Sequence, residues 1–246
     1  MKQNILLLIV LLLGFNKISY SQEFNKHLNT DSLFQVILKE IPKEKRDEFK
    51  KTYEEGDEQS KEFLLFMLSM PKSSKKGLIE NYKKHSVEIE KLKKEYSKLV
   101  PDSLIISIEF NAENKIISTP ESIDLKVYRK NSNGQNSVIE QGWNLNRDSE
   151  ELSKMLRLID WNQNTLTEIK ALLDSANCIS IENGENTSIG FARSGMGKYF
   201  YLVFNDNLAK NEIEKFNDGC AYIFYKNNIV LEYGGGAVGP QCFPDE

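Results

Sequence analysis

The sequence predicts an α+β protein: a helical N-terminal region, then a mainly antiparallel β-sheet with two helices packed on one face. Three observations carry that prediction. Gly56 and Gly77 are the only glycines in residues 22–100, whereas glycine recurs from Gly134 to Gly239; helices exclude glycine and turns recruit it. The apolar spacing shifts from steps of three and four to steps of two near Pro101. Charge divides there as well, net +2 over residues 22–100 and −8 over 101–246.

Ahead of the helices stands an address. Lys2, the apolar run from Ile5 to Phe15 and then Ser19-Tyr20-Ser21 make the three-part pattern of a secretory signal peptide covering residues 1–21. The run falls short of the roughly 20 apolar residues a bilayer requires, so no stable membrane anchor is expected once the leader is cleaved. The cysteines are Cys178, Cys220 and Cys242, and none follows the run to carry a lipid. The leader and the wealth of Lys, Asn and Ile resemble exported proteins of AT-rich bacteria in style, which implies a periplasmic or secreted protein.

Residues 22–100 read as helices. Leu33, Phe34, Ile37, Leu38 and Ile41 keep helical spacing behind Thr30 and Asp31, either able to cap, and Pro42 stops the run. Residues 43–54 form a charged helix. Residues 63–70 are apolar on most sides, which predicts burial. From residue 75 to 99, Leu78, Tyr82, His85, Ile89, Leu92, Tyr96 and Leu99 alternate steps of four and three, with Ser74 as the cap. That seam faces either a second chain, as in a coiled coil, or the helices at 31–41 and 58–70; those helices need a surface to pack on, which favours the second.

Residues 101–246 read as a sheet domain. Leu104, Ile106, Ile108 and Phe110 alternate with Ser107 and Glu109, and Ile123, Leu125 and Val127 alternate with Asp124 and Lys126. A third strand covers 138–145. Asp148 with Glu151, and Thr165 with Glu168, have capping-box spacing ahead of two helices. Five strands follow, at about 178–183, 187–193, 199–205, 220–225 and 229–234. Turns at Asn183-Gly184, Ser194–Gly197 and Asn227-Asn228 are too short for anything but antiparallel neighbours.

Composition narrows the chemistry. The chain has 246 residues, net charge −4 and two histidines, His27 and His85. An acidic balance argues against nucleic-acid binding, and the scarcity of histidine argues against His-based zinc and Ser–His or Cys–His catalysis. No calcium-loop spacing occurs, and no metal or cofactor is expected.

Four groups of residues remain as candidates. With a plain two-residue turn at 227–228, Tyr222 faces Tyr233 and Cys220 faces Gly235, which brings Cys242 back toward Cys220. A Cys220–Cys242 bridge is therefore preferred over pairings with Cys178, and would stabilise by roughly 3 kcal/mol. The run Gly234, Gly235, Gly236 and Gly239 could gather backbone N–H groups around an anion, but the Pro240 and Cys242 that follow suit a closely packed, tied-down loop better. On residues 199–204, Tyr199 and Tyr201 share a face that is either a recognition surface or a second core layer. Arg193, Glu182, Glu232 and Asp218 lie on or beside these strands, and a carboxylate pair there could serve glycoside hydrolysis.

The reading that follows is an exported, non-catalytic binding protein, of inhibitor or immunity type, whose partner is another protein and a basic one. Tyr199, Tyr201, Arg193 and Glu232 are its expected contact residues. The alternative is an envelope enzyme of hydrolase type, with the glycine run as oxyanion site and Glu232 or Asp218 as its acid.

Overall fold

The computed structural model describes residues 24–130, 136–235 and 239–244. Residues 1–21, which the sequence suggests as a leader, and Gly236 lie outside the described residues. Three helices open the fold: α1 (Thr30–Glu40), α2 (Lys43–Glu55) and α3 (Glu58–Ser69). They build a small core of their own from Phe34, Ile37, Leu38, Ile41, Tyr53 and Leu65, with the rings of Phe34 and Tyr53 stacked at 4.0 Å. The cap of α1 is Asn29, whose side chain accepts from the Ser32 N–H, rather than Thr30 or Asp31; Asp31 instead accepts from the Tyr53 hydroxyl at 2.9 Å. In α3 only Leu65 is buried, while Phe63 is 47% exposed, because a three-helix cluster has one interior and cannot enclose a helix on most sides.

The long helix α4 (Lys75–Leu99) starts at Ser74, whose Oγ accepts from the Gly77 N–H as its spacing predicts. His85, with φ −122° and ψ 24°, kinks it midway. Its seam is used up inside the chain: Leu78, Tyr82, Ile89, Leu92 and Tyr96 are all buried. The cover, however, is the sheet and a later helix, not α1 and α3. Those short helices turn their buried side chains on one another, whereas the sheet offers α4 a continuous apolar face.

That sheet consists of β1 (Leu104–Asn111), β2 (Ser122–Arg129), β3 (Ser137–Leu145), β4 (Ser180–Glu182), β5 (Thr187–Ser194), β6 (Gly197–Val203), β7 (Tyr222–Lys226), β8 (Ile229–Gly235) and β9 (Gly239–Pro240). All pairings are antiparallel, in the order β3-β2-β1-β4-β5-β6-β8-β7, with β9 also on β8. Between β3 and β4 lie α5 (Glu150–Leu158) and α6 (Gln163–Ser175), and α7 (Lys210–Lys215), which the periodicity did not suggest, sits between β6 and β7. The caps fall next to the expected ones. Ser149 caps α5, and Asn162 caps α6 with Thr165 as the returning member of its box, so Thr165 belongs to the first turn instead of preceding it.

Helices α4, α5 and α6 share one face of the sheet and one core with Ile106, Ile108, Leu125, Val127, Ile181, Ile189 and Leu231. On the other face, α7 and its flanks cover a single corner, where Phe204, Leu208 and Val230 meet. At the β7–β8 turn Lys226 pairs with Ile229, and a bulge then shifts the register so that Tyr222 faces Glu232. The extra residue, Tyr225, turns its ring onto Tyr82 of α4 at 5.5 Å. The Cys220–Cys242 disulfide is present, and Cys178 is free and buried.

Candidate functional site on the open face of the sheet

Alternation sends Tyr199, Tyr201 and Val203 to the helix-covered face and Lys198, Phe200 and Leu202 to the other. Tyr199 and Tyr201 are 1% and 0% exposed, so the tyrosine-bearing face is core and not a recognition surface. The hydroxyl of Tyr201 donates to the Leu78 carbonyl at 2.7 Å and accepts from Asn81 Nδ2 at 3.2 Å. Tyr96 donates to the Ile106 carbonyl at 2.9 Å. Tyrosine serves here as a core residue whose polar tip finds an internal partner.

The open face carries charge instead. Strand register places Asp124, Glu109, Ser180, Gly190, Phe200, Glu232 and Tyr222 in one transverse row, and Lys126, Ser107, Glu182, Ser188, Leu202, Val230 and Phe224 in the next. In the middle, Glu109 is almost wholly buried between two cations: Arg193 Nη2 lies 2.7 Å from one carboxylate oxygen and Lys198 Nζ 2.8 Å from the other. Lys198 also donates to Ser180 Oγ at 3.1 Å. Its stem crosses the bare backbone of Gly190, where a Cβ would collide with Ser180 Oγ. Arg193, expected to contact a partner, is thus committed to Glu109.

Glu232 sits farther along this face. With Glu182, Glu185, Tyr128, Ser188, Asn136, Ile105 and Leu202 it lines a hollow of about 470 Å³ beside the β4–β5 turn. Burial, and next the charge of Glu182, push the Glu232 carboxyl up to about 7, against a smaller opposing pull from Lys198. Such a group holds its proton more tightly folded than unfolded, where it titrates near 4.5. Its ionisation therefore removes stability as pH climbs from 4.5 to about 7, and below that window the cost vanishes. Allowing for partial solvent screening, the cost is about 1–3 kcal/mol. Glu232→Gln is expected to be more stable than the parent by that amount at pH 8 and equal to it near pH 4. Urea unfolding at both pH values checks this; identical midpoints at pH 8 would show that water, not protein, surrounds the carboxylate.

The glycine run has a structural explanation. Gly234 pairs with Lys198 on one side and Pro240 on the other, and Gly235 pairs with Gly239. Their peptide groups lie in the ladder, and backbone crowds both: a Cβ would stand 2.7 Å from the Gly239 carbonyl oxygen at 234 and 2.9 Å from that of Met196 at 235. Gly235→Val is accordingly expected to lose about 2–4 kcal/mol, since neither neighbour is a side chain that can swing away. A variant with the parent's melting temperature would show that β9 and the β5–β6 turn yield easily. Asp218 is occupied too, accepting from the N–H groups of Cys220 and Tyr222 at 2.8 and 2.9 Å, bonds that hold its carboxyl below the usual carboxylate range. Burial pushes the Cys178 thiol up to about 12, which leaves no thiolate for nucleophilic chemistry.

A larger cleft of about 840 Å³ runs between the C-terminal half of α4 and the strand ends. Lys91, Lys93, Lys94 and Lys130 stand there among Glu90, Glu95 and Asp102, so charges of both signs are interspersed and largely offset one another across it. The hollow differs: the carboxylates of Glu182 and Glu232 make no ion pair or hydrogen bond with a described residue. Glu109, Lys198, Glu182 and Tyr128 were not singled out together from the sequence, because only the strand order brings them onto one surface.

These features define a two-layer α+β protein with helices on one face of a single antiparallel sheet and a charged hollow on the other. Compared with protein-family models, with curated proteins and with solved structures, the chain matches none.

Proposed function

We propose that this chain is an exported, non-catalytic binding protein that recognises another protein through the open face of its sheet, in the manner of an inhibitor or immunity-type protein. The observation that carries this reading is the hollow at Glu182 and Glu232, where carboxylates lie part-buried without cations although Glu109, on the same face, has two. Charge held at a cost in stability is what a binding surface retains and a merely structural one discards. The acidic sheet domain suits a basic partner, since opposite fields speed association. A disulfide suits an oxidising compartment outside the cytoplasm.

The test is a cross-linked pull-down from the native cells with the tagged mature chain, using Ser188→Arg as a second bait. That substitution fills the hollow and leaves the helix-covered core alone. One partner recovered near one-to-one with the parent and lost with Ser188→Arg is the expected result. No partner with either bait, or one that both recover equally, would overturn the reading.

A further inference from the structure

Resting on that reading, we infer that the partner presents a lysine or arginine side chain to the open sheet face and seats it between Glu182 and Glu232. The argument is charge complementarity across the face. At its centre Glu109 is neutralised by Arg193 and Lys198, and toward its β3 edge Asp124 accepts from the Asn144 N–H while Lys126, two residues along the same strand, supplies the opposite charge over the ring of Trp143 at 5.7 Å. Among the described residues the acidic surplus lies at the end beside the β4–β5 turn, with Glu182 and Glu232 in the hollow and Glu185 exposed at its rim. Lys198, the cation that influences Glu232 most closely, is held by Glu109 and Ser180 and is not available to fill it.

The walls say what kind of cation fits. Ile105, Leu202 and the Tyr128 ring make part of the lining apolar, which matches the alkyl stem of a long basic side chain with its charge at the tip. Among the described residues no group of three or more His, Cys, Asp or Glu is placed to hold a metal ion, so an organic cation suits the donors better than a divalent one. The surface continues past the hollow to exposed Val138 and Trp143 on β3, an extent that fits a protein rather than a free amine.

The probe is agmatine, an alkyl amine with a guanidinium tip, titrated into the 15N-labelled full mature chain. Saturable amide shifts are expected at Glu182, Ser188, Leu202 and Glu232. They should weaken at least fivefold in Glu182→Gln/Glu232→Gln and persist in Glu44→Gln/Glu48→Gln, which removes the same charge from the exposed side of α2. Absent shifts, or shifts of equal strength in the hollow variant, would overturn the seat. The two readings fail separately. A captured partner that binds Glu182→Gln/Glu232→Gln as tightly as the parent removes the cation seat and leaves the binding role, whereas agmatine binding without any captured partner leaves the seat and removes the protein partner.

Discussion

Glu109→Ala is expected to lose about 3–5 kcal/mol of stability, the range for removing one member of a buried, hydrogen-bonded ion pair. The loss arises from what remains. The Lys198 side chain is 16% exposed, and burial already lowers the pKa of its ammonium, with Glu109 as the opposing influence. Without that carboxylate its remaining neighbours are Ser180 Oγ and the Phe200 ring, the latter 4.7 Å from Nζ, too little to offset desolvation. Arg193 matters less, because its side chain is 40% exposed and can relax into water. Urea unfolding at pH 7.5 measures the effect, and the double variant Glu109→Leu/Lys198→Met separates its causes. Removing both charges should recover most of the loss, since a matched apolar pair replaces an ion pair at little net cost. A single-variant loss under about 1 kcal/mol would mean that solvent screens the pair.

How far the sequence reveals this arrangement depends on the range of each interaction. Local signals were dependable. Ser74 caps where its position predicts, the seam from Leu78 to Tyr96 is helical throughout its length apart from the kink at His85, and β2 alternates as its apolar residues require, whereas in β1 Ile105 and Glu109 are buried on the opposite face as well. Misplaced caps, such as Thr165 for Asn162, arise because several residues within one turn can each supply the oxygen. What a face packs against is a different matter. The α4 seam reads identically whether covered by helices, by a second chain or by a sheet, and Tyr199 and Tyr201 alternate identically whether turned to solvent or to core. Deciding needs the sheet order, and β4 beside β1 is a long-range choice that no local pattern encodes.

The site shows the same limit more sharply. Glu232 was visible as an acid on a strand, and Arg193 as a cation beside a turn. The partner of Arg193, Glu109, lies 84 residues away in the chain, and that of Lys198 is the same Glu109 at 89. The bulge at Tyr225 is a further case, since one unpaired residue sets Tyr222 opposite Glu232 and thereby turns Tyr222 toward the open face, where alternation along β8 already places Glu232. The closing covalent link survives that slip because β9 and the tail follow β8, not β7. Gly239–Pro240 pairs with β8, Gln241 N–H donates to the Tyr233 carbonyl at 2.8 Å, and Phe243 N–H donates to the Cys220 carbonyl at 2.8 Å.

Reduction of Cys220–Cys242 is therefore expected to cost roughly 3 kcal/mol, the chain-entropy value for a link spanning 22 residues, on a model that assigns the effect to the unfolded chain. For a protein of this size that corresponds to a fall in Tm of about 6–12 °C. The Cys242 side is exposed and Cys220 half-buried, so a phosphine reductant should reach the bond in the folded chain. Cys220→Ser/Cys242→Ser should match the reduced parent, which separates loss of the link from any effect on Cys178. Native contacts should outlast the link in part: Phe243 packs against Tyr199 and Tyr233 at 5.9 and 6.1 Å, under the Lys75 ammonium. Amide exchange then reports two different things. If the disulfide acts only on the unfolded chain, exchange at residues 229–235 speeds up no more than the global stability change requires. If it also pins the tail, exchange at Gln241 and Phe243 rises far beyond that while the strands of β1 and β2 keep pace with the global value. An unchanged Tm in protein confirmed as reduced by mass spectrometry would remove the disulfide from the forces that hold the sheet edge, and leave that edge to its aromatic packing and β9 alone.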